Sequence, residues 1–76
     1  MNEQNIEPGD LVKLRSAHPG LSISCITYDG RREQFKENHP AIYLGKVQRT
    51  SVSHRVDIFI DGKICWVWRA EIAMLE

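Results

Sequence analysis

The stretch Arg55-Val56-Asp57-Ile58-Phe59-Ile60-Asp61-Gly62-Lys63-Ile64-Cys65-Trp66-Val67-Trp68 decides the fold. Val56, Ile58 and Ile60 alternate with Asp57 and Phe59, the period-two pattern of a strand with one buried face. Asp61-Gly62 is a strong tight-turn signal, and Lys63 to Trp68 returns as a second strand. Two registers compete. With a two-residue loop, Ile60 opposes Lys63 and Phe59 opposes Ile64, so Val56, Ile58 and Ile60 share a face with Lys63, Cys65 and Val67. With a three-residue loop, Ile60-Asp61-Gly62, a left-handed Gly62 forms a bulge; Ile58 then opposes Ile64 and Val56 opposes Trp66. A slip of one residue turns every side chain over, so burial selects the register. The three-residue loop gathers Val56, Ile58, Ile64 and Trp66 and is the expected one. Asp57, Phe59, Lys63, Cys65 and Val67 would then face outward, with Trp68 at the edge of the core.

Working outward, Pro8-Gly9-Asp10 is turn chemistry, and Leu11 to Arg15 reads as a first strand. Ala17-His18-Pro19-Gly20 breaks it. Leu21, Ile23 and Cys25 alternate with Ser22, Ser24 and Ile26, a weaker extended segment running to about Tyr28. Asp29-Gly30 turns the chain. Arg31 to Asn38 is polar, with Phe35 its only large apolar residue, and fits the return arm of a hairpin or a short helical turn. His39-Pro40 ends it, because a residue before proline avoids the helical region. Ala41 to Val47 is a further strand, Ile42 and Leu44 pointing one way and Tyr43 and Gly45 the other. Gln48 to His54 reads as loop, Arg69-Ala70-Glu71 as one tight turn, and Ile72 to Leu75 as a closing strand. No stretch predicts a long helix, and no repeat is visible.

Seventy-six residues, 42% of them apolar and 26% charged, fit one small domain (8–76) preceded by a polar arm (1–7). The net charge is zero but unevenly placed: −3 over 1–10, +5 over 11–55 and −2 over 56–76. The acidic start lacks the basic, then apolar pattern of a secretory signal. No uncharged run approaches the roughly 20 residues that span a bilayer. A cytoplasmic setting follows, with Cys25 and Cys65 as reduced, partly buried thiols; neither belongs to a Cys-x-x-Cys pair.

The elements Pro8-Gly9-Asp10-Leu11-Val12, Tyr43-Leu44-Gly45-Lys46-Val47, Ile58-Phe59-Ile60-Asp61-Gly62-Lys63, Trp66 and Ile72 to Leu75 resemble, in their order, an SH3-like small β-barrel. The likeness covers residues 6–15 and 41–76, and the chain is similar in particular to small proteins encoded by tailed bacteriophages. It implies an all-β fold, a five-stranded antiparallel barrel whose first long loop, residues 16–40, is elaborated. It also implies a bacterial host cytoplasm or a virus particle as the setting. Such barrels bind peptides, nucleic acids or neighbouring subunits, so the likeness alone selects no function.

Catalysis has little support. His18 and His39 sit in turns, His54 in a loop, and no metalloprotease, serine-hydrolase or phosphate-loop motif occurs. No metal and no cofactor is expected. The expectation is a non-enzymatic module acting through protein contacts, as a virion component or a small host-directed effector. Its candidate contacts are Leu21 and Ile23 in the apolar insertion and Phe59, Val67 and Trp68 on the outer side of the hairpin. The rival is an RNA- or DNA-binding barrel using the basic segment 31–55: Arg31, Arg32, Lys36, Lys46, Arg49 and Arg55, with Tyr28 or Tyr43 available for stacking.

Overall fold

A computed structural model describes residues 6–16, 18, 20–46 and 55–75. Seven strands form in chain order: β1 Leu11–Leu14, β2 Ile23–Thr27, β3 Arg32–Phe35, β4 Pro40–Lys46, β5 Arg55–Ile60, β6 Lys63–Trp68 and β7 Ile72–Met74. A single 3-10 turn, Arg69–Glu71, separates β6 from β7. All pairings are antiparallel, in the order β3-β2-β6-β5-β4-β1-β7. Among the described residues the fold is thus all-β, but the sheet has seven strands and its two edges are not joined to each other.

The five-strand expectation fails in the segment 16–40. Instead of a loop, this segment supplies a hairpin, β2–β3, that extends the sheet by pairing Ile26 with Trp66 and Thr27 with Cys65. Ile23 and Cys25 drive this docking, because both are buried in the same core as the other strands. The helical alternative for 31–38 gives way to β3, whose residues pair with β2 from Ile23↔Phe35 to Ile26↔Arg32.

One continuous cluster fills the interior: Val12, Leu14, Ile23, Cys25, Ala41, Tyr43, Val56, Ile58, Ile60, Cys65, Val67 and Ile72. A flat sheet could not bring Ile72 on one edge strand and Ile23 near the other into one core, so the sheet curls over its inner face. The bend lies in β4. This strand pairs with β1 through Pro40 to Ile42 and with β5 through Ile42 to Lys46, with a register shift between Tyr43 and Gly45. Bulges of this kind increase twist and curvature. Gly45 takes a φ of 127°, and Pro8 packs 3.7 Å from where its Cβ would stand. Gly9 N–H donates to the Tyr43 carbonyl and Tyr43 N–H to that of Asp10, at 2.7 and 2.9 Å, so the residues just before β1 brace the bend. Ile6, placed in the polar arm by sequence, packs against the core.

The β5–β6 hairpin takes the other register. Ile60 pairs with Lys63, Phe59 with Ile64, Ile58 with Cys65, Asp57 with Trp66, Val56 with Val67 and Arg55 with Trp68. The loop is Asp61-Gly62 alone, both residues left-handed, with φ of 51° and 79°. That geometry matches the strand twist and suits aspartate-glycine. The inner face therefore holds Val56, Ile58, Ile60, Cys65 and Val67, all buried. Trp66 and Ile64, expected inside, lie on the outer face; Cys65 and Val67, expected outside, lie in. Four β-branched residues and a cysteine fill that side of the hairpin.

The register sets the order of two substitutions. Ile64→Ser should shift stability by less than about 1 kcal/mol, as an exposed site does, and Val67→Ser should cost more than about 2 kcal/mol. Urea unfolding of both variants measures this, and the reverse order would restore the three-residue loop.

Candidate protein-contact face

The two-residue turn assembles an outer surface from four neighbouring strands. Leu11 of β1 pairs with Ile42 of β4, Ile42 with Phe59 of β5, and Phe59 with Ile64 of β6. Directly paired residues point to the same side of a sheet, and these four are exposed by 54%, 36%, 41% and 49%. They form an apolar row about 14 Å long, three inter-strand spacings. Leu44, at the bulge, is exposed on the same side of β4. Contiguous exposed apolar side chains make this strip a candidate contact surface.

Beside the row lies an aromatic cluster. The Arg55 guanidinium stacks on Trp66, 4.0 Å from the ring centroid, and approaches Trp68 at 5.7 Å. The two indoles meet edge to face at 5.3 Å. Each partner is on the outer face because alternate residues of β5 and β6 point the same way. The Tyr28 hydroxyl, from the turn after β2, donates to the Asp57 carboxylate between Arg55 and Phe59. Partial burial, then this hydrogen bond and the Asp57 charge, push the Tyr28 phenol up to about 12, with Arg55 opposing. Glu71 in the 3-10 turn accepts the Trp68 backbone N–H at 3.0 Å, fixing the end of β6.

Of the protein-contact residues expected from sequence, Phe59 and Trp68 stand on this face. Leu21 is exposed but lies apart, before β2, beside a shallow cavity of about 320 Å³ with Gly20, Ser22, Lys36 and Glu37. Ile23 and Val67 belong to the chain's own core at 2% and 1% exposure and cannot meet a partner. Leu11, Ile42, Ile64 and Trp66 were missed. The first two have strand patterns ambiguous as to face, and the last two fell on the wrong side with the hairpin register. The signal that would have found them is the preference of Asp-Gly for the two-residue turn.

Among the described residues the basic candidates sit on different elements. Arg31, next to Asp29 at 3.6 Å, and Arg32 are exposed at the β2–β3 hairpin, with Lys36 beyond β3. Arg55 is held on the far side of β2 and β6. Lys46 ends β4, and Arg49 lies outside the described residues, as does His54. A cavity of about 250 Å³ at the hairpin tip is lined by Thr27, Tyr28, Asp29, Arg31, Glu33, Lys63 and Ile64, but its charges pair with one another: Lys63 Nζ lies 2.8 Å from Glu33. Of the stacking candidates, Tyr43 is buried and Tyr28 exposed. His39 stacks on Phe35 at 4.9 Å and lies 3.1 Å from Asp61. Among the described residues no group of three histidine, cysteine or acidic side chains converges as metal ligands.

Both cysteines are free and buried. Burial first, then the neighbouring Cys65, push the Cys25 thiol up to about 12, and burial raises Cys65 as well. Neither is a ready thiolate nucleophile near neutral pH. The shift has a stability consequence. A group whose folded pKa is raised holds its proton longer in the folded state, so its contribution is complete below the unfolded value and is lost as pH rises. Urea midpoints should hold steady up to about pH 9, the ordinary thiol value of 9.0, and fall toward about pH 12, with Tyr28 adding to the fall above 10.0. Cys25→Ala should flatten that decline; an unchanged slope would remove the thiol as its cause.

No protein-family model, no curated protein and no solved structure matches the chain.

Proposed function

We propose that this chain is a small, SH3-like, non-enzymatic module that binds a protein partner across the outer face of β1, β4, β5 and β6. The observation that carries the reading is the paired row Leu11–Ile42–Phe59–Ile64, apolar side chains left exposed on regular strands. A rigid sheet holds them at fixed spacing, so little side-chain order is lost when a partner covers them. Trp66, Trp68 and Arg55 beside the row are the residue types most often found as binding anchors.

The SH3-like part of the reading is supported by the run β7-β1-β4-β5-β6 and by the 3-10 turn before the last strand. On this reading the β2–β3 hairpin is the elaborated first loop, folded into the sheet. The likeness to tailed-phage proteins adds a setting, a virus particle or a host-directed effector, in which small binding modules act without catalysis.

Phe59→Ser tests the face without touching the core. It should keep the far-ultraviolet circular dichroism and lose protein partners that the unsubstituted chain retains in stoichiometric amounts from extracts of its native cell. Partners retained equally by both proteins would remove the face from the account. Binding of a random oligonucleotide at low salt, abolished by Arg31→Ser with Arg32→Ser and untouched by Phe59→Ser, would replace the reading with the nucleic-acid one.

A further inference from the structure

The outer face has a second chemical feature besides its apolar row. The ion pairs among the described residues do not include Arg55. Its Nε is shut off from solvent without a hydrogen-bond partner, because the guanidinium lies against Trp66 and Trp68. The stack holds the planar group in one orientation, so a ligand docking on it would meet the terminal nitrogens rather than Nε. A guanidinium so held is preorganised for a carboxylate, which it takes through two parallel hydrogen bonds.

The cation has a defined place relative to the row. Arg55 and Phe59 are four residues apart on β5, and the guanidinium reaches back over Trp66, the partner of Asp57. The carboxylate position therefore lies between about 7 and 13 Å along the strands from the Phe59–Ile64 pair, at two to four residues of extended chain. The surroundings favour a single carboxylate over a polyanion. Asp57, held by Tyr28, lies next along β5, and Glu71 stands at the end of β6. Two negative groups beside the cation repel a run of phosphates more strongly than a single side-chain carboxylate.

We infer that the partner offers an extended peptide segment in which a large apolar side chain covers the Phe59–Ile64 pair and a glutamate or aspartate, two to four residues away, docks on the Arg55 guanidinium stacked on Trp66 and Trp68. This rests on the outer face being the protein-docking surface proposed above.

Selection from a display library of random twelve-residue peptides tests it on the full chain. The inference expects enriched sequences with an acid two to four residues from leucine, phenylalanine or tryptophan. A synthetic peptide of the enriched type should lose about tenfold or more in affinity when its acid becomes the amide, the scale of one hydrogen bond to a charged group. Arg55→Gln should bind both peptides equally weakly, and Arg55→Lys should fall between. Enriched apolar sequences with no acid, sensitive to Phe59→Ser but not to Arg55→Gln, would overturn the inference and leave the docking face standing. No enrichment, or enrichment insensitive to Phe59→Ser, would overturn both. Self-association of the chain that excludes the peptides would assign the face to a second copy, and oligonucleotide binding lost in Arg55→Gln would assign the cation to phosphate; either result also overturns the inference.

Discussion

Asp61 and Gly62 both adopt left-handed backbone angles, and that two-residue turn determines which side of two strands meets the core. Left-handed geometry costs an ordinary residue about 1–2 kcal/mol, glycine almost nothing and aspartate less than most. Moving the turn by one residue would turn β6 over against β5, exchanging Cys65 and Val67 for Ile64 and Trp66. The inner face would lose its matched set of small and branched side chains, and the outer face would lose Ile64 and the two tryptophans. Core and candidate contact surface are the two sides of one register.

The composition of the interior completes that division. The curled sheet buries aliphatic residues, two thiols and one aromatic ring, Tyr43. Phe35 packs partly against this core, and the remaining aromatics stand on the outside or in the turn after β2. Such a domain buries only about 60% of its unfolded surface, so some exposed apolar area is ordinary. Its arrangement is not: one row of paired side chains runs across four strands and ends beside an arginine stacked on two indoles. Strand pairing and stacking give that surface fixed geometry before any partner arrives.

Much of the fold was legible in the chain. Alternation in Arg55 to Ile60, turn signals at Pro8-Gly9-Asp10, Asp29-Gly30 and Asp61-Gly62, and the break at His39-Pro40 located β1, β2, β4, β5, β6 and β7 within two or three residues, while the segment of β3 stayed open between a hairpin arm and a helical turn. Two features were not legible, for different reasons. The place of the 16–40 hairpin depends on long-range pairing of Ile26 with Trp66 and Thr27 with Cys65, which local pattern does not encode. The hairpin register was not legible from hydrophobicity alone, because either side of β6 offers apolar residues, Ile64 and Trp66 or Cys65 and Val67; the left-handed Asp61-Gly62 turn selects between them. Phe59 and Trp68 emerged as contact residues because they were outward in one register or at its edge. Ile42 and Leu44 were seen to share a side of β4, but only the pairing with Leu11 and Phe59 shows that side to be the outer one.

The register is open to direct observation by nuclear magnetic resonance. Cross-strand contacts between α-protons report which residues face each other in an antiparallel pair. The account predicts contacts between the α-protons of Phe59 and Ile64 and between those of Asp57 and Trp66, the pairs that place both aromatic residues on the outer face. A contact between the α-protons of Val56 and Trp66 would put the indole in the core and contradict the account.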